Sequence, residues 1–358
     1  MAAPCLPVGC CPLGTPITAS GARGQDTRDG HDSEGARMRI AVTGGAGFIG
    51  ANLVAELLGR KAIDEVVVVD DLSTGDRANL DAHPEAKLVE ASILDAEVLD
   101  ETFAGVDGIV HLAAIPSVPR SIASPVASHH ANATGTLEVL EAARRAGNVH
   151  TMVASSSSVY GANPTLPKSE DLRPAPLSPY AVNKLAAESY AIAYQHCYGL
   201  PTLAFRFFNV FGPLQAPGHA YAAVIPTFLD AALRGAPLPV HGDGEQSRDF
   251  TFVGTVTAVL ADALERQVVS PDPINLAFGT RRSLNDAIAE LERQLGRSLD
   301  IDRQPPRPGD VRHSQADQSR LRAAFPDVIP VPFEEGLRRT IGWFAGRDGG
   351  TGAPSTGG

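Results

Sequence analysis

The sequence predicts an α/β fold, a doubly wound parallel sheet followed by a smaller C-terminal substrate-binding region. Three observations predict it. Short apolar runs alternate with helical patterns between Arg39 and Arg206. A glycine-rich turn, Gly44-Gly-Ala-Gly-Phe-Ile-Gly50, joins the first run to the first helix. After Phe211, proline and glycine become frequent and the patterned pieces shorten. Strands alternating with helices form parallel sheets covered on both faces.

Arg39–Thr43 is an apolar run ending at glycine, as a buried strand does. A helical pattern follows to about Gly59. Val66–Asp70 is the second strand. Lys87–Ala91, Ile109–Leu112, Thr151–Ser155 and Thr202–Arg206 bring the expected sheet to six strands. Helices near Glu97–Phe103 and Ala131–Ala146 lie between them. Pro179–Tyr198 is the longest helix. Ser178 can cap it, and Pro179 suits a first position, where a missing N–H costs nothing. Further on come a helix near Ile225–Arg234, a strand near Asp249–Val253, and helices at Thr255–Arg266, Leu284–Leu295 and Phe333–Ala345. The expected division is a nucleotide-binding domain over 38–211 and a mainly substrate-binding region over 212–345. Residues 1–37 and 346–358 lack periodicity and are expected to be flexible tails.

A chain of 358 residues can bury a full core. Its net charge of −11 disfavours a nucleic-acid or anionic-membrane partner, which calls for a basic patch. No stretch approaches the ~20 apolar residues of a membrane span. Of the four cysteines, Cys5, Cys10 and Cys11 lie in the N-terminal tail without partners at metal-ligand spacing, so no metal site is expected. Cys197 is expected to be a small buried apolar residue. No disulfide framework is implied, and a reducing cytoplasm is the expected compartment.

Gly44, Gly47 and Gly50 have distinct uses between a strand and a helix. The first allows the tight turn. The second lets backbone approach a pyrophosphate, and the third lets helix pack on strand, the Rossmann-type arrangement. Asp70 ends the second strand, 26 residues after Gly44, where it can accept hydrogen bonds from ribose hydroxyls. With Asp71 beside it, a 2′-phosphate would be repelled, which favours NAD over NADP. Ser155–Ser158 stand at the end of the fifth strand, where open α/β sheets bind ligands. Tyr180 and Lys184 are four residues apart, on one face of a helix. A free phenol has a pKa of roughly 10. A lysine ammonium nearby is expected to lower it towards neutrality. By itself the pair is more often an aromatic packed beside a solvated lysine.

The motifs TGGAGFIG, HLAAIPSVPRSI, SSSSVYG, SPYAVNK, RFFNVFGP and GDGEQSRDF occur in that order. Together they resemble the extended short-chain dehydrogenase/reductase family of nucleotide-sugar epimerases and dehydratases, from about Met38 to Phe344. AYAAVIPTF and RPGDVRHSQAD are most similar to its UDP-N-acetylglucosamine 4-epimerase branch. The resemblance implies that Tyr180 is the base, Lys184 its electrostatic partner, and Ser156 the residue that orients the sugar 4-hydroxyl. It implies NAD contacts at Gly44, Gly47, Phe48, Ile49, Gly50, Asp70, Leu72, Ser73, Ser92, Ile93, Leu112, Ala113, Ala114 and Asn132, besides Tyr180 and Lys184. A UDP-sugar would meet Ser117, Ser156, Asn209, Gln215, Ala223, Arg248, Arg307 and Asp310. Ser314 would be a small gate that admits an N-acetyl group. A homodimer built on the Tyr180 helix is also implied.

Two departures stand out. Ser92-Ile93 occupy positions where the family usually has Asp-Ile or Asp-Val for the adenine, and Asp70-Asp71 stand where Asp-Asn is frequent. A 4,6-dehydratase shares the fold but usually has Asp-Glu where this chain has Ser157 and Ser158, and a UDP-glucuronate decarboxylase usually has Glu at the second of these positions. A non-catalytic NAD-binding module is the alternative of another class.

Overall fold

The computed structural model describes residues 37–217, 223–306 and 312–348. In order, the first part holds β1 (Met38–Thr43), α1 (Phe48–Leu58), β2 (Ile63–Asp70), β3 (Lys87–Glu90), α2 (Ala96–Phe103) and β4 (Gly108–His111). Two short helices, α3 (Val118–Ala123) and α4 (Pro125–His129), precede α5 (Gly135–Arg145), β5 (His150–Ser156), α6 (Pro179–Tyr198), β6 (Thr202–Phe207) and β7 (Asn209–Phe211). Then follow α7 (Val224–Leu233), β8 (Leu238–His241), β9 (Ser247–Phe252), α8 (Val253–Glu265), β10 (Ile274–Leu276), β11 (Arg281–Ser283), α9 (Leu284–Leu295), β12 (Ile301–Gln304), α10 (Ser319–Ala324) and α11 (Phe333–Asp348).

Among the described residues the main sheet has seven parallel strands in the order β10-β6-β5-β4-β1-β2-β3. The strand order reverses between β1 and β4, so both run out beside the same crevice at their C-terminal ends. Strand alternation divides the apolar residues between two layers. Ile40, Val42, Val66 and Val68 pack with α1 and α8, whereas Ala41 and Val69 pack with α2, α5 and α6. A second core gathers Phe211, Phe250, Phe252 and Phe333 with apolar residues of α7, α9 and α11.

The seventh strand, β10, was not expected. After Phe211 the chain also returns to the main sheet: α8, β10 and α10 bury Val256, Leu260, Ile274, Leu276 and Leu321 in the α1-side core. The helix expected over Ala131–Ala146 begins with a wider π-turn at His130–Thr134 before α5. The last helix runs to Asp348, past the expected end at Ala345. Cys197 is exposed rather than buried, because it falls in the last turn of α6 beyond Tyr194, the last buried position. Arg37, at the end of the expected N-terminal tail, lies 3.5 Å from Asp64 as an exposed ion pair. The three remaining cysteines, Arg307 and Asp310 lie outside the described residues.

Candidate active site

A cavity of about 900 Å³ opens along the C-terminal ends of β1, β2, β4 and β5. Its floor begins at the glycine turn. Gly44 has φ +72°, and a Cβ there would lie 2.6 Å from the Ala113 nitrogen. A Cβ on Gly50 would meet the Gly44 carbonyl at 2.1 Å, so the turn and α1 pack too closely for a side chain. Gly47 is different: a Cβ there would touch only the Gly44 carbonyl, at 3.3 Å. Gly47 also begins α1 with no side-chain cap and no acidic residue in the first turn. Such a helix end leaves N–H groups and a positive dipole for an anion.

Asp70 stands across from this turn and is largely buried. Its carboxylate accepts from the Ala46 and Leu72 N–H groups, each at 2.9 Å. Burial pushes its pKa above the usual carboxylate value, with neighbouring Asp71 adding to the effect, against those two hydrogen bonds. Both carboxylates line the cavity. Gln215 lines it too, with its buried Oε1 unpartnered among the described residues. An uncapped helix end and two carboxylates for ribose hydroxyls together fit a bound dinucleotide, and Gln215 keeps a free amide acceptor for the UDP-sugar it is expected to meet.

α6 supplies the other wall. Ser178 caps it by accepting from the Ala181 N–H at 3.2 Å. The Tyr180 N–H donates to Ser121 Oγ at 3.0 Å, which fixes the start of α6 against α3. One turn on, Lys184 is buried and donates from Nζ to the Ala154 carbonyl at 2.8 Å. Ser156 closes β5, two residues from that carbonyl. Burial brings Lys184 down to about 8. Burial also pushes the Tyr180 phenol above its ordinary value, while a hydrogen bond from Ser156 works the other way. The expected pull of Lys184 on the phenol is therefore corrected. In the protein the desolvation of Tyr180 dominates, and Ser156 is the side chain that favours the phenolate.

Most of the sequence-derived set converges here. Gly44, Gly47, Phe48, Ile49, Gly50, Asp70, Ser73, Ser92, Ile93, Leu112, Ala113, Ala114, Tyr180 and Lys184 line the cavity. So do Ser117, Ser156, Gln215 and Ala223. Ser117 holds φ +98°, a strained backbone for a side-chain-bearing residue, of the kind that collects at binding sites. Leu72 and Asn132 do not line the cavity. Leu72 serves through its N–H on Asp70. Asn132 is buried in the π-turn and bonds the Ile115 backbone at both N–H and C=O, 2.7 and 3.0 Å, so it shapes the loop that does line the cavity.

The outer substrate residues are not gathered around the described cavity. Asn209 is exposed on β7, outside it. Arg248 donates to the Ser247 carbonyl at 2.9 Å, beside Arg281, Arg312 and His313. Ser314 pairs through its N–H with the Ser247 carbonyl at 3.0 Å and does not line the cavity either. Sequence reasoning missed Arg120, a half-buried cation on the cavity wall next to Ser121. Its signal was its place within HLAAIPSVPRSI, but nothing in that string says which residue faces the ligand.

Likeness to known proteins bears on this geometry. The model of the NAD dependent epimerase/dehydratase family matches residues 40–277. UDP-glucose 4-epimerase of Mycolicibacterium smegmatis is 36% identical, covering 86% of this chain and 98% of its own. The probable UDP-glucuronate 4-epimerase of Rhizobium meliloti is 31% identical, with 86% and 97% covered. A solved UDP-N-acetylglucosamine 4-epimerase from Methanobrevibacter ruminantium M1, in complex with UDP-N-acetylmuramic acid, has a TM-score of 0.82. It is 36% identical over 87% of this chain and 99% of that one.

Proposed function

Because this chain belongs to the NAD dependent epimerase/dehydratase family, we propose that it inverts C4 of UDP-N-acetylglucosamine and UDP-N-acetylgalactosamine, and of UDP-glucose and UDP-galactose by the same route. The coarser activity is that of an NAD-dependent UDP-sugar 4-epimerase. One observation carries the mechanism: Ser156, Tyr180 and Lys184 stand together on the wall of the same cavity that the glycine turn opens into.

The uncapped end of α1, Asp70 and the Leu112–Ala114 strand end would hold NAD, with Tyr180 and Lys184 at its far end. Bound NAD supplies the acceptor and donor for the C4 hydride. Tyr180, as phenolate, takes the proton of the sugar 4-hydroxyl. Ser156 bonds that hydroxyl and the phenol, and so sets the path of the proton. Lys184 ties the helix to β5 through the Ala154 carbonyl and brings positive charge to the cavity wall where the sugar alkoxide would develop. Tyr180 then returns its proton after the 4-keto sugar has presented its other face. Ser157 and Ser158 cannot supply the carboxylic acid chemistry of dehydration or decarboxylation. Ser314 does not line the described cavity, and the acetylated substrates are supported only by the resemblance, which puts this small residue at the gate position of RPGDVRHSQAD. The partner is a second copy of this chain, docked on exposed Val126, Val182 and Tyr190 of α4 and α6.

A second reading, a uronate-bearing UDP-sugar, is favoured by Arg120, because a guanidinium on the cavity wall can pair with a carboxylate. The test is incubation of the purified protein with UDP-N-acetylglucosamine, UDP-glucose and UDP-glucuronate separately, with products resolved at equilibrium. We expect the 4-epimers of the first two. Ser314→Tyr should abolish only the acetylated reaction. Turnover of UDP-glucuronate alone would replace this reading by the second.

A further inference from the structure

Behind Ser156 lies a row of buried polar side chains that the proton chemistry does not use. The register of the sheet pairs Ser155 of β5 with Arg206 of β6, and Arg206 with Asn275 of β10. Ser155 Oγ donates to Glu188 Oε2 at 2.8 Å. Arg206 grips the same carboxylate with two donors, Nε to Oε2 at 2.9 Å and Nη2 to Oε1 at 2.6 Å. Its third nitrogen donates to the Tyr160 hydroxyl at 3.0 Å, which donates in turn to Asn275 Oδ1 at 2.6 Å. Glu188 and Arg206 are each 3% exposed.

Glu188 continues a line along α6. Tyr180, Lys184 and Glu188 are spaced four residues apart, so base, ammonium and carboxylate share one helix face. The first two meet the cavity. The third reaches β5 at the residue immediately before Ser156. A buried ion pair is weak evidence for stability, because desolvation cancels much of its attraction. What a two-pronged guanidinium–carboxylate contact does supply is fixed geometry.

We propose that the Glu188–Arg206 pair is a positioning device for proton transfer, acting through Ser155 to hold the end of β5 against α6 so that Ser156 meets Tyr180. Neither member of the pair touches substrate. The proposal rests on the reading of Tyr180 as base and Ser156 as its partner.

Ser155→Ala tests it, because this change removes the hydroxyl that joins β5 to α6, at 2.8 Å to Glu188 and 3.4 Å to the Lys184 carbonyl, while the charged pair stays intact and no buried charge is orphaned. The holoenzyme is assayed with whichever of UDP-N-acetylglucosamine and UDP-glucose the wild type turns over. The expected result is a kcat lowered about 10-fold by misplacement of the reacting groups, with KM and bound NAD unchanged. The acid limb of the kcat–pH profile should move to higher pH, since a loosened Ser156 favours the phenolate less. Ser155→Thr, which keeps the hydroxyl, should restore both. Wild-type kcat and an unmoved acid limb in Ser155→Ala would overturn the proposal. So would a loss spread over kcat, KM and NAD content that threonine does not restore, the mark of general damage. If Tyr180→Phe turns over normally, the underlying reading fails instead, whatever Ser155 does.

Discussion

The Tyr180 phenol is held between two opposing influences, burial that keeps it protonated and a Ser156 hydrogen bond that favours its anion. Lys184 is poised by the same desolvation, which brings it down to about 8. Such a site spends its polar groups on one proton. Tyr180→Phe keeps the ring and removes the acceptor, so kcat should fall by at least ~10²-fold, the scale of losing a general base. Bound NAD, measured after denaturation, should be unchanged. Near-wild-type turnover in this variant would remove Tyr180 from its role. At this scale helical spacing revealed partners along one helix, whereas partners across elements, such as Ser156 with Tyr180, came from the resemblance of the motifs. The Tyr180–Lys184 spacing is a helical repeat and can be counted. The direction of the Tyr180 shift depends on burial, which no spacing encodes. Arg120 was missed for the same reason, since its place on the wall depends on how α3 meets α6.

Among the elements, long helices were legible because many periodic positions agree: α6 and α9 have the expected bounds. β10 was not, because three residues, Ile274–Leu276, give too little alternation to read. β9 carries a feature that only the fold creates. Asp249 is wholly buried and accepts the Ala316 N–H at 3.0 Å, which ties the segment after Ser314 to β9. Burial raises its pKa to about 7 from an ordinary 3.8. The unfolded chain therefore ionises first as pH rises, and the stability contributed by this group is present below pH 3.8 and lost by about pH 7. Asp249→Asn removes that loss. Its stability relative to wild type, from denaturant melts between these pH values, should rise with pH by at most ~4 kcal/mol and then level off. A difference independent of pH would show that Asp249 is ionised in the folded protein.

For the whole molecule, the consequence of the fold is one cavity shared by groups far apart in sequence. The strand order reverses between β1 and β4, and the crevice there receives Gly47, Asp70, Ser156, Tyr180 and Gln215 together. α8 and β10 return from the second region to complete the sheet, so the two cores are built from interleaved stretches of chain. That interleaving was not legible, because composition changes at Phe211 but packing partners do not follow composition. The central claim is that this cavity removes and returns hydrogen at C4 and does nothing further to the sugar. The most direct test supplies the wild-type protein with UDP-N-acetylglucosamine or UDP-glucose deuterated at C4 and locates the label in the product by NMR. The account predicts the 4-epimer with deuterium still on C4 and none in solvent. Deuterium at C6 of a 4-keto-6-deoxy sugar, or its loss to water, would contradict it.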